Sequence, residues 1–346
     1  GLNHACAILD DGDLKCWGWD NHGQLGDGGT NADVDAPSTT AIDLGIGRTA
    51  VAVSGGWYHT CAILDNGDLK CWGRDNFGQL GNGATPYSDQ SSPQSTAIDL
   101  GSGRTAVAVS AGYGHTCAIL DNGDLKCWGR DNYGQIGDGG TIGYNDNDFT
   151  SGPSEPIDLG TGRTAVTVAL GGYHTCAILD DGSVKCWGFD GWGQLGDGGT
   201  STDQASPVSV DLGPGRTAVA ISAGEAHTCA ILDDGSVKCW GMDNHGQLGD
   251  GGTSTDQASP VSVDLGPGRT AVAVSAGESH TCAILDDGSV KCWGSNQWSA
   301  IGLGVTEGQQ YQPKVYSPTQ TASLGTGRTA VAIAVGVHHS CAILDD

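Results

Sequence analysis

The sequence predicts an all-β fold of repeated four-stranded sheets, on three observations. Glycine fills 59 of 346 positions, against three Phe and one Met, a composition that favours many short strands joined by tight turns over helical bundles. The stretch Cys6-Ala-Ile-Leu-Asp-Asp-Gly-Asp-Leu-Lys-Cys16-Trp-Gly recurs almost unchanged along the chain. Its opening cysteine returns at Cys61, Cys117, Cys176, Cys229, Cys282 and Cys341, at intervals of 53 to 59 residues. Such a period marks a propeller blade or a solenoid coil.

The recurring stretch reads as a hairpin. Cys-Ala-Ile-Leu and Leu-Lys-Cys-Trp are short β-compatible segments around Asp-Asp-Gly or Asp-Asn-Gly, a loop that suits a type I turn with Gly12 at positive φ. In that register Ile8 faces Leu14, Ala7 faces Lys15 and Cys6 faces Cys16. A two-residue turn would instead set Cys6 against Trp17. The first register puts both sulfurs on one face at a spacing of about 4.5 Å between Cα atoms, which a disulfide tolerates. Bridges are therefore expected at Cys6–Cys16, Cys61–Cys71, Cys117–Cys127, Cys176–Cys186, Cys229–Cys239 and Cys282–Cys292. Each would contribute roughly 2–3 kcal/mol by restricting the unfolded chain. Zinc is the alternative, but its ligand pairs favour two to four intervening residues.

One unit, in order, holds four predicted strands: Thr-Ala-Ile-Asp-Leu100, then Ala106-Val-Ala-Val-Ser, His115-Thr-Cys-Ala-Ile-Leu and Leu125-Lys-Cys-Trp. The two middle strands are apolar on both faces, as a sheet packed between two others requires. The tryptophans closing the hairpins, Trp17 and Trp72 through Trp293, read as core. The joints from Thr141 to Pro156 and Gly304 to Pro318 are longer and read as surface loops, and Asn145-Asp-Asn-Asp-Phe is the most acidic of them. The whole of 1–346 reads as one domain. The longest apolar run, 330–337, is too short to span a bilayer.

The order His-Thr-Cys, Asp-Gly turn, Trp17-Gly18 and Gly23-Gln24-Leu25-Gly26 resembles the repeat of the regulator of chromosome condensation family. It recurs at Trp72-Gly73, Trp128-Gly129, Trp187-Gly188 and Trp240-Gly241, and departs only at Trp293-Gly-Ser-Asn-Gln-Trp-Ser-Ala-Ile-Gly302. The resemblance implies a seven-bladed β-propeller, with six complete repeats and part of a seventh. The cysteine pairs resemble the exported, bacterial-type branch of the family. Cys341 has no partner ten residues on, so the chain reads as a processed fragment of a longer one, or as one closed by another protomer.

Thirteen cysteines in regular pairs indicate an oxidising compartment, extracellular or on the cell surface. The net charge is −25. Twelve of fifteen cations belong to the repeat plan, six as hairpin lysines and six as the arginine of Gly-x-Gly-Arg-Thr; Arg74, Arg130 and Lys314 alone stand outside it. Such a chain is a poor match for nucleic acid. Gly45-Ile-Gly-Arg-Thr-Ala has the letters of a dinucleotide motif but leads into a strand, not a helix. The repeat histidines, from His4 to His339, read as structural groups bonded to adjacent backbone. No catalytic motif is present, so an enzyme is not expected. No cofactor is expected either; Asp20, Asn21 and Asp27 could offer oxygens to calcium, or could close their own turn.

What varies against this constant frame is a set of loop aromatics: Trp57, Tyr58, Phe77, Tyr113, Tyr133, Tyr173, Trp192 and Trp298. Such side chains either anchor a protein or glycan partner or pack between neighbouring loops. The leading expectation is a non-catalytic exported binding module. The others are a self-associating structural subunit of an extracellular filament or surface layer, and a secreted inhibitor resembling the propeller-type β-lactamase inhibitors.

Overall fold

The computed structural model describes residues 1–346 except 30–31, 84–87, 141–148, 151, 154, 200, 253, 303–313 and 346. The acidic stretch 145–148 and most of the two long joints lie outside the described residues. Among the described residues strands gather in seven sheets, and the chain divides into two compact units, Gly1–Tyr173 with Gln204–Ser206, and His174–Asp203 with Pro207–Asp346.

The recurring stretch folds in the disulfide register. Cys6 lies opposite Cys16, Ala7 opposite Lys15 and Ile8 opposite Leu14, with Gly12 at φ +83° closing the loop. The same pairing repeats at all six hairpins, and each carries a bridge with Cα atoms 4.0–4.1 Å apart. That spacing is the close, non-hydrogen-bonded kind of antiparallel pair. Cys341 is free and exposed.

In the first unit His4–Ile8 pairs with Leu14–Gly18. A second sheet runs Ala50–Gly55, His59–Leu64, Leu69–Gly73, and a third Ala106–Ala111, His115–Leu120, Leu125–Arg130, Phe149–Thr150. In the second unit Ala218–Ala223, His227–Leu232, Val237–Gly241 and Gln257–Ser262 form one sheet. Ala271–Ala276, His280–Leu285 and Val290–Gly294 form the next, and Ala330–Val335 pairs with Ser340–Leu344.

The expected strand Thr-Ala-Ile-Asp-Leu is not one. It runs beside the sheet on a single backbone bond, Ile98 N–H to the Leu69 carbonyl at 2.9 Å, and commits Ile98 and Leu100 to the core instead. Where a full fourth strand exists it is Gln-Ala-Ser-Pro-Val-Ser, at Gln204–Ser209 and Gln257–Ser262. Its proline is tolerated because the strand lies at a sheet edge.

Successive sheets within a unit are held by apolar layers and by a repeated polar node. Between the second and third sheets Ile63, Leu69, Leu80, Leu120 and Trp128 are buried together. The Gln79 carbonyl there accepts two bonds, from Trp128 Nε1 at 3.0 Å and Thr116 Oγ1 at 2.8 Å. His59 Nε2 lies 2.9 Å from that same hydroxyl. The hydroxyl's one hydrogen goes to the carbonyl, so the imidazole must donate, which fixes its Nε2–H tautomer. The node recurs at Gln24 in the first unit and at Gln194 and Gln247 in the second. His4, His59, His174, His227 and His280 each place Nε2 against a hydroxyl of the next sheet, where adjacent backbone was expected. Gly81, at φ +66°, has no room for a Cβ, which would lie 2.5 Å from Trp128 Nε1. This explains the second glycine of Gly-Gln-Leu-Gly. Trp17 differs from its counterparts: it is half-buried, while Trp72, Trp128, Trp187, Trp240 and Trp293 are fully buried.

The glycine-rich turns close on their own carboxylates. Asp20 Oδ1 accepts from Leu25 N–H at 2.9 Å, and Asp75, Asp190 and Asp243 repeat the bond. Among the described residues no group of three or more His, Cys, Asp or Glu is placed to hold a metal.

These buried groups set a pH profile. Burial lowers His59, His174 and His227 to about 3, and His280 to about 4. Burial also raises Asp75, Asp190 and Asp243 to about 6. A lowered histidine costs stability as pH falls from 6.5 towards its folded value, whereas a raised aspartate costs stability as pH rises from 3.8 to about 6. The two sets oppose each other between about pH 4 and 6, and only the histidines remain below. The denaturation midpoint in guanidinium is expected to stay nearly level from pH 6 to 4 and to drop steeply below 4. A steady loss from pH 6.5 downward would contradict the opposition.

Candidate functional site

The loops that precede each repeat histidine and follow each Trp-Gly project side chains with no part in the nodes. In the first unit these side chains are aromatic. Trp57 and Tyr113, from the loops before His59 and His115, meet edge to face with centroids 4.1 Å apart. Tyr113 meets Tyr173 at 5.2 Å, and Tyr173 meets Tyr133 at 5.3 Å. Tyr58 joins through Trp57 at 6.4 Å and also contacts Trp19 and His22.

Arg130 binds this cluster together. Its guanidinium stacks 4.8 Å from the Phe77 ring, 5.2 Å from Tyr173 and 5.4 Å from Tyr113, and the residue is only 8% exposed. Such contacts are worth about 0.5–1 kcal/mol each in water and ~2 kcal/mol when desolvated, so three around one buried cation hold the rings in fixed orientation. Arg74 lies 5.3 Å from the Tyr58 ring. At the rim His22 Nδ1 is 2.8 Å from Asp89 Oδ2.

The structure thus brings together six of the eight sequence-selected aromatics: Trp57, Tyr58, Phe77, Tyr113, Tyr133 and Tyr173, each half-buried. They pack between neighbouring loops, and each keeps part of its surface exposed. Trp192 and Trp298 belong to the second unit. Trp192 packs on Phe189 at 5.1 Å and is 37% exposed. Trp298 is 74% exposed, with φ +61°. In the second unit the positions of Trp57 and Tyr113 are held by Glu225 and Glu278, and burial together with the Glu278 charge raises Glu225 to about 7. Sequence reasoning passed over Arg74, Arg130 and His22. The two arginines were marked by standing outside the repeat plan, and that was the signal available.

Gly114 keeps the Arg130 stack possible, since a Cβ there would sit 2.9 Å from Phe77 Cδ2 and 3.5 Å from Arg130 Cβ. Gly114→Val is expected to push Phe77 and Arg130 apart, reducing near-ultraviolet circular dichroism while costing about 1–2 kcal/mol of stability. Retention of the native aromatic spectrum would show the stack to be looser than the distances indicate.

Comparison with known proteins places this chain. It is 32% identical over 316 residues to the ultraviolet-B receptor UVR8 of Arabidopsis thaliana, covering 91% of this chain and 68% of that protein. It is 29% identical over 339 residues to the human E3 ubiquitin-protein ligase HERC2, covering 97% of this chain but 7% of that protein. Among solved structures, Prp20p of Saccharomyces cerevisiae superposes with a TM-score of 0.83 at 22% identity, covering 99% of this chain and 80% of that one. The CRINKLY ectodomain of the Arabidopsis thaliana receptor kinase ACR4 superposes at 0.54 and 20% identity, covering 99% and 87%. The fold is the seven-bladed β-propeller that the repeat implies. The profile of the RCC1-like domain matches residues 1–342, and the chain belongs to that family of propeller modules.

Proposed function

We propose that this propeller is an exported, non-catalytic binding module, and that a protein partner docks on the aromatic–arginine cluster of the first unit. One observation carries the reading: Arg130 sits buried among Phe77, Tyr113 and Tyr173 in a chain of net charge −25 whose other cations almost all serve the repeat. Rigid aromatic and arginine side chains at loop tips are the composition of interaction hot spots. Export is supported by six bridges that persist only where thiols are not kept reduced. Related propellers are used in both ways: Prp20p was crystallised and characterised for binding to Gsp1p and histones, and the ACR4 propeller is a receptor ectodomain.

The test is capture of partners from extracellular and cell-surface material, with a glycan array run in parallel. Trp57→Ala with Tyr113→Ala is expected to weaken the captured interaction about 30-fold or more, the scale of one hot spot. Trp192→Ala, in the second unit, serves as the control and is expected to leave it unchanged. Equal capture by all three proteins would remove the cluster from the role, and a glycan signal lost in the double variant would replace the protein partner with a sugar.

A further inference from the structure

The outer edge of the first sheet, the strand Leu14–Gly18, leaves one residue unpaired. Cys16 lies opposite Cys6 in the close kind of antiparallel pair, so its own N–H and C=O point out of the hairpin. Its neighbours on that edge are satisfied. Gly18 exchanges two bonds with Val34, at 2.7 and 2.8 Å, and the Leu14 carbonyl accepts Ile42 N–H at 2.9 Å. Between them the backbone N–H and C=O of Cys16, a residue only 5% exposed, have no partner among the described residues. Buried backbone groups are nearly always paired, because leaving them bare is costly. These two open on a cavity of about 300 Å³ lined by Cys16, Leu25, Val34 and Ile42, with Asp27 and Asp43 also in its wall.

The second unit shows what fits such a place. There the equivalent cysteine, Cys239, pairs with Val261 of the outer strand. The Val261 side chain packs on the cluster that holds Cys239, Leu248 and Val263. Segment length accounts for the difference. Between proline and aspartate the second unit has three residues, Val261-Ser-Val263, and the first sheet has five, Ser38-Thr-Thr-Ala-Ile42. The extra two let the segment arch away from the strand between its anchors at Val34 and Ile42. Ser38, directly after the proline, replaces Val261. In the second sheet the spacing is again five, but the residue after the proline is Gln94, whose Nε2 is buried.

We propose that the cavity is a binding site for a single acylated aliphatic amino acid whose carboxyl is blocked as an amide or ester. The ligand's N–H donates to the Cys16 carbonyl, its C=O accepts from the Cys16 N–H, and its branched side chain lies against Leu25 and Ile42. This pairing requires a donor and an acceptor on either side of one carbon, as Val261 supplies to Cys239. The anchors at Val34 and Ile42 close both ends to a continuous strand, so the occupant is one residue long. A free carboxylate is excluded by Asp27 and Asp43, since no lysine or arginine is among the lining residues to offset them.

The probe is N-acetylvaline N-methylamide, added to the intact chain and followed by the backbone amide signals of 14–18 and 38–42. Saturable shifts centred on Cys16 are expected, with a Kd of about 2 mM or tighter, the scale for a ligand this small. Exchange of the Cys16 N–H should slow. The analogue methylated on the valine nitrogen lacks the donor and should bind about fivefold or more weakly. Free N-acetylvaline should bind more weakly still. Ser38→Gln, which installs the residue found at this place in the second sheet, should abolish the shifts without lowering the denaturation midpoint. The analogue series uses the unaltered chain, so it decides the matter even if that variant folds poorly. The proposal is overturned by equal binding of the methylated analogue, or by binding that survives Ser38→Gln. It is also overturned if no saturable shift appears at about 20 mM probe, tenfold above the expected Kd.

Discussion

Trp128→Ala is expected to destabilise the protein by about 3–5 kcal/mol, the upper range for a single core substitution. The side chain is fully buried between the second and third sheets of the first unit, among Ile63, Leu69, Leu80 and Leu120. Removing it empties the centre of that layer and deletes the indole bond to the Gln79 carbonyl. The carbonyl itself is not orphaned, because Thr116 still donates to it, so the cavity dominates the loss and the hydrogen bond is secondary. Trp128→Phe should separate the two terms, keeping most of the volume and costing only about 1–2 kcal/mol. Guanidinium denaturation followed by tryptophan fluorescence checks both. A loss under about 2 kcal/mol for the alanine variant would mean that the layer closes over the gap.

Replacing Cys117 and Cys127 together by alanine is expected to cost about 2–3 kcal/mol, since the bridge closes a short loop in the unfolded chain. Both sulfurs are fully buried and belong to the apolar layers. Two consequences follow. Reductant without denaturant should leave the buried bridges intact, because thiolate attack needs access to sulfur. Reductant with denaturant should yield a chain that does not regain its fold while its thiols stay reduced, since all six hairpins lose their constraint at once. Alkylation of unreduced native protein followed by peptide mapping reads the bridges directly, and finding those thiols free would withdraw the argument for an exported setting.

The parts of the fold legible in the sequence were those fixed by near neighbours. The hairpin register follows from an Asp-x-Gly-type turn and two cysteines ten residues apart, and all six hairpins adopt it. The fourth strand was not legible. Thr-Ala-Ile-Asp-Leu has strand-like letters but spends its apolar side chains in the core, while Gln-Ala-Ser-Pro-Val-Ser carries a proline that marks it as an edge. The node linking His59, Thr116 and Gln79 joins residues 57 and 37 apart, and no local pattern announces it. At the candidate site the rings were readable as departures from a constant repeat. Their mutual packing was not, because edge-to-face contact and the Arg130 stack depend on loops brought together by neighbouring sheets.

Amide hydrogen exchange of the protein with and without its captured partner tests the functional account most directly. The account predicts slowed exchange confined to the loops at 56–58, 112–114 and 172–173, lost in the Trp57→Ala, Tyr113→Ala double variant. Protection that falls instead on the Gly-x-Gly-Arg-Thr turns, or that survives in the double variant, would contradict it.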